Sequence, residues 1–118
     1  MVKKYTLLYG VQATNMDEVG ARVARALDLK VVLREGLYSG EHVSCEGHAV
    51  DWLSIYLRDK KYLAPLTQDP KKYAFVLYVR NYKGKNIEKE ARHNHVKKVL
   101  GKIAGLTLLK EEVEETKY

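Results

Sequence analysis

Residues 73–81 read YAFVLYVRN, and residues 5–11 read YTLLYGV. Both are short runs of aliphatic, β-branched and aromatic residues next to turn formers, the pattern of buried strands. Each leads into a helical pattern and then into a second apolar run. LLYG (7–10), a helix and VVLRE (31–35) are echoed by VLYVR (76–80), a helix and TLLKE (107–111). Val32-Leu33-Arg34-Glu35 matches Leu108-Leu109-Lys110-Glu111 in residue type. Two βα-β units of this kind flank the middle of the chain, and they decide the fold.

The segments between them follow from their spacing. In TNMDEVGARVARALDL (14–29), Met16, Val19, Gly20, Val23, Ala24 and Leu27 fall on one helical face. Asn15 is placed to cap that helix, with Glu18 three residues on as in a capping box. LKVVLREG (29–36) and EHVSCEG (41–47) read as strands on either side of a turn bracketed by Gly36 and Gly40. AVDWLSIYLRD (49–59) alternates Val50, Trp52, Ser54 and Tyr56 on one face with Leu53, Ile55 and Leu57 on the other, which predicts a central strand. KKYLAPLTQDPKK, with both prolines, is the principal loop. IEKEARHNHVKKVLGKI (87–103) predicts a second helix with Val96, Val99, Leu100 and Ile103 inward, and Gly105 suits its C-cap region. LTLLKEEV closes as a strand, and 114–118 reads as a frayed tail. The expected order is β-α-β-β-β-β-α-β. This is an α+β, ferredoxin-like open sandwich over residues 1–118, with two helices on one face of a mainly antiparallel sheet.

The 118 residues are 46% hydrophobic and 31% charged, a globular composition of single-domain length. No run has the roughly 18 apolar residues of a membrane span. A single cysteine, Cys45, can form no intramolecular disulfide, and the expected compartment is a reducing cytoplasm. The net charge of +6 is unevenly spread. Residues 58–102 carry 13 Lys+Arg against 4 Asp+Glu, and the remainder carries 8 against 11. A basic half attracts phosphate or an acidic protein surface.

Chemistry-bearing clusters are sparse. The HNH of 93–95 is consecutive on a predicted helix, so His93 and His95 point about 200° apart and cannot share a ligand. His42, Cys45, Glu46 and His48 are ligand types, but on a strand Cys45 points away from the two histidines. Cys45 reads as a small buried apolar residue. Ser54 with His42 and Asp51 is the nominal nucleophilic set, without a Gly-x-Ser-x-Gly elbow. No phosphate loop is present. The expectation is a protein that is not an enzyme and has neither cofactor nor metal. Its nine tyrosines suit a binding surface, because the ring is large and rigid with a polar tip.

The motifs Tyr9-Gly10-Val11, Arg34-Glu35-Gly36-Leu37-Tyr38-Ser39-Gly40, the strand Phe75 to Val79 and the terminal Leu106 to Val113 together resemble a family of small bacterial toxin-immunity proteins, including those of contact-dependent growth inhibition. The resemblance runs over most of residues 5–113. It implies a protein that binds one cognate toxin domain and blocks it. Unlike many nuclease inhibitors, which are acidic, this chain is basic, so the contacted toxin patch is expected to be acidic. The expected binding surface is built from the loop 58–73 and the segment 82–92. It holds Arg58, Lys60, Lys61, Lys71, Lys72, Lys83, Lys85, Lys89 and Arg92, with Tyr62, Tyr73 and Tyr82 among them. Tyr38, at the tip of the 36–40 turn, is a further contact candidate. The alternative partner is nucleic acid, held on a basic, tyrosine-rich surface.

Overall fold

A computed structural model describes residues 1–36, 40–57 and 63–117, and the side chains of all of these except 33–36, 40 and 41. The elements run β1 (Val2–Val11), α1 (Met16–Leu27), β2 (Lys30–Gly36), β3 (Gly40–Glu46), β4 (Trp52–Leu57), β5 (Phe75–Asn81), α2 (Asn86–Leu100) and β6 (Leu106–Thr116). The predicted β-α-β-β-β-β-α-β order is therefore the observed one. The six strands form one sheet in the order β2-β3-β4-β5-β1-β6, antiparallel throughout. β4-β5-β1-β6 has the strand order of a ferredoxin-like core. The β2–β3 hairpin is inserted between α1 and β4 and extends the sheet at one edge. β4, read as a central strand from its two apolar faces, lies between β3 and β5.

Both helices pack on one face. α1 touches β2, β3 and β4, while α2 touches β1 and β5. The Asn15 side chain accepts from the N–H groups of Asp17 at 2.8 Å and Glu18 at 3.3 Å, which starts α1 where the capping signal predicts. The helix ends at Asp28, which takes a left-handed conformation (φ 55°). The core between helices and sheet combines alternate strand residues, Leu7, Tyr9, Val11, Val43, Leu53, Ile55, Leu77 and Val79, with Val19, Val23, Val96 and Leu100 from the helices. Cys45 belongs to this core. It is 2% exposed, and burial pushes its thiol up to about 11.

Two expectations are corrected. Residues 114–116 are not frayed: β6 runs to Thr116, with Lys4↔Glu114, Lys3↔Glu115 and Val2↔Thr116 paired across to β1. Its alternation is weak because an edge strand buries little, so sequence pattern alone cuts it short. The second helix stops at Leu100, and Gly105 lies beyond it at the entry to β6. There a positive φ of 88° and the Gln12 carbonyl, 2.8 Å from any added Cβ, require glycine. No helix among the described residues is long and apolar enough to cross a membrane.

Candidate functional site

Strand pairing fixes what the other face of the sheet presents. Trp52 pairs with Arg80, Arg80 with Thr6, and Thr6 with Glu112. Ser54 pairs with Tyr78, Tyr78 with Leu8, and Leu8 with Lys110. These residues alternate with the core set and point away from both helices. Neither α1 nor α2 covers this face.

One end of the face is closed by the segment leading into β5. Leu63 is fully buried and Tyr73 nearly so, packed with Leu8 and Val76, and Leu66 lies alongside. The Tyr73 ring lies directly over Gly10, where an added Cβ would sit 2.8 Å from its carbons, so glycine admits the ring to the sheet. The other end stays open. There Trp52 is 40% exposed, and Arg80 is exposed with its guanidinium carbon 6.0 Å from the Tyr82 ring centroid. The Lys83 ammonium lies 5.6 Å from the same ring. Tyr56 meets Tyr78 edge-on at 6.4 Å and stacks on the buried His42 at 4.8 Å. The result is a floor of aromatic rings with Arg80 and Lys4 at one corner and Glu112 and Glu114 along β6.

The corner is braced from behind by Asp51. Its Oδ2 accepts from the N–H groups of Tyr82 and Lys83, both at 2.7 Å, and from Arg92 at 2.9 Å. Arg92 also donates to the Lys83 carbonyl at 2.7 Å and to Asn81 Oδ1 at 3.2 Å. A half-buried carboxylate with three charge-assisted bonds fixes the turn after β5, and with it the direction of Tyr82 and Lys83.

The described members of the sequence-predicted surface do not come together as one patch. Lys71 and Lys72 are exposed on a short 3-10 turn (Pro70–Lys72) before β5, whereas Lys83 and Lys85 are exposed after it. The seven residues of β5 hold the two groups roughly 20 Å apart. Tyr73 is buried over Gly10 and is not a contact residue. Lys89 is 1% exposed and donates to the Lys3 carbonyl at 2.6 Å, so it anchors α2 to β1 instead of facing a partner. Arg92 is committed to Asp51. Tyr82 is half-buried beside Arg80 and remains available. Arg58, Lys60, Lys61, Tyr62 and Tyr38 lie outside the described residues.

The residues that the sequence reading did not single out are Trp52, Arg80, Lys4, Glu112 and Glu114. The alternation of 52–56, and of Tyr78, Arg80 and Tyr82, carried the signal for two of the strands. Combining them needed the register. Among the described residues no three His, Cys, Asp or Glu side chains come together to hold a metal ion. His42 and Ser54 share the open face, but the Ser54 hydroxyl is hydrogen-bonded to Ser44 at 3.0 Å. No protein-family model matches the chain, and no curated protein does.

Proposed function

We propose that this protein is a non-enzymatic binding module of the toxin-immunity type. In this reading it holds a cognate bacterial toxin domain against the face of its sheet opposite α1 and α2, in the cytoplasm of the cell it protects. The observation that carries it is the outward-facing set Trp52, Tyr56, Tyr78, Arg80 and Tyr82 on a rigid sheet. Tryptophan, tyrosine and arginine are the side chains that dominate protein–protein binding energy, because they bury much area and lose little entropy. The mixed charge of the face also favours a protein partner. Glu112 and Glu114 on β6 would repel a phosphate backbone lying across the sheet, which weighs against the nucleic-acid alternative.

The test is to look for a toxin-bearing gene directly upstream and to co-express its toxin domain with this chain. Rescue of growth and a complex stable to gel filtration are expected. Trp52→Ala is expected to weaken that complex by about 2 kcal/mol or more, roughly thirtyfold in Kd. A toxin that kills equally with and without this protein overturns the proposal.

A further inference from the structure

The open face carries two differently built subsites on neighbouring rows of the sheet. The first is a groove of about 480 Å³ with Leu8, Pro65, Leu66 and Tyr78 as its apolar lining. Lys110 and Glu112, paired with each other at 3.0 Å, stand at its rim. The volume is that of a small-ligand pocket and admits an aliphatic or aromatic side chain. The second is the corner of Trp52, Arg80, Tyr82 and Lys4. Among the described residues no carboxylate pairs with Arg80, whose guanidinium carbon lies 6.0 Å from the Tyr82 ring centroid and which shares its hollow with Trp52 and Lys4. A planar guanidinium in that setting is made for a carboxylate.

The rows are two residues apart along β1 and β5: Leu8 and Tyr78 in one, Thr6 and Arg80 in the next. The separation is about 7 Å, which matches residues i and i+2 of an extended chain. We infer that the face binds an extended segment of the partner protein that places an acidic residue on Arg80 and an apolar residue, two positions away, in the Leu8–Leu66 groove. This rests on the reading of the chain as a protein-binding module and specifies what that partner must present. Charge complementarity selects the occupant. Arg80 and Lys4 call for one localised negative charge, whereas Glu112 and Glu114 repel a repeated one. A single-stranded nucleic acid supplies the repeated charge, and a peptide supplies the localised one.

The experiment selects from a library of random linear peptides against the full chain and reads binding of the selected peptides through the fluorescence of Trp52, the only tryptophan. Peptides with an acidic residue and an apolar residue two positions apart are expected. Arg80→Gln, an exposed change that leaves the core untouched, should weaken them by about tenfold or more. Leu66→Glu should weaken them independently, through the groove. Selected peptides without an acidic residue, an empty selection, or affinity unaffected by Arg80→Gln would each overturn the inference. So would oligo-dT binding to the same face more tightly than any selected peptide. The outcome is separate from toxin neutralisation. A chain that neutralises its toxin unchanged by Arg80→Gln keeps its proposed function and loses this site. A chain that protects against no toxin but binds such peptides through Arg80 does the reverse.

Discussion

Glu111 shows how one residue on an edge strand can tie a helix down. Its register partner on β1 is Leu7, so it faces α2 and not the open side. Its Oε1 accepts from Lys97 Nζ at 2.8 Å, and its Oε2 lies 2.7 Å from Nε2 of the buried His93. The Lys97 bond first, and the His93 bond second, hold its carboxyl below the usual carboxylate range. Nearby, burial and then the Glu111 charge push the Tyr9 hydroxyl up to about 12. A carboxyl whose pKa falls on folding stabilises the native state above the ordinary carboxylate range, and that contribution is lost as pH falls through its folded value. Glu111→Gln is therefore expected to be less stable than the parent chain at neutral pH. The gap in urea midpoint should close as the solution is acidified below the folded pKa. A gap that stays constant down to strong acid would show that the charge of Glu111 contributes nothing to stability. Glu111 is partly exposed, so the difference belongs to the small end of ion-pair effects.

At the scale of elements, the contact between α1 and the sheet is set by a missing side chain. Gly20 is buried in the middle of α1, and a Cβ there would lie 2.7 Å from Cγ1 of Val43, itself fully buried on β3. The Cys45 thiol meets the Gly20 carbonyl at 3.7 Å across the same junction. On an exposed helix, glycine to alanine gains about 1 kcal/mol of helix propensity. Here the methyl group must displace a stiff β-branched neighbour inside a packed core, at a cost of about 1–3 kcal/mol. Gly20→Ala is expected to lower stability in urea melts by about 1 kcal/mol. Val43→Ala should restore part of that loss, so the two changes should be non-additive. A stabilised Gly20→Ala chain would mean that α1 rides higher above β3 than the structure places it.

For the whole molecule, the division of labour between the two sheet faces decides where the net charge of +6 acts. One face is sealed by helices, and the other holds Trp52 and Arg80 with Lys83 and Lys85 beyond the end of β5. Lys71 and Lys72 stand at the opposite end of that strand, about two Debye lengths away at 0.1 M salt. Steering toward the Trp52 corner therefore falls to the 82–85 turn. Lys83→Glu with Lys85→Glu is expected to slow association with an acidic partner several-fold at low salt, in stopped-flow traces of Trp52 fluorescence. Lys71→Glu with Lys72→Glu should change it little, and the difference should fade as salt is raised. Equal slowing by both pairs would place the partner across the whole length of β5 and not at its open end.

Local pattern was enough to read the elements of this protein. The apolar run YTLLYGV, the period-two alternation of WLSIY, the 3.6-residue spacing of Val19, Val23 and Leu27, and the Asn15 cap each encode a conformation within a few residues. The echo of the two βα-β halves was enough to give the order of elements, the shared helix face and the antiparallel sheet. The sequence could not show which charges are at the surface. Lys89 and Arg92 read like any lysine and arginine on a basic helix, yet one reaches the Lys3 carbonyl and the other Asp51, residues far away along the chain. Nor could it bring Trp52, Arg80, Thr6 and Glu112 into one row, because they come from four strands and only the register aligns them. Backbone conformation is settled by neighbours in sequence. A binding face is settled by neighbours across hydrogen bonds, and those exist only once the sheet has formed.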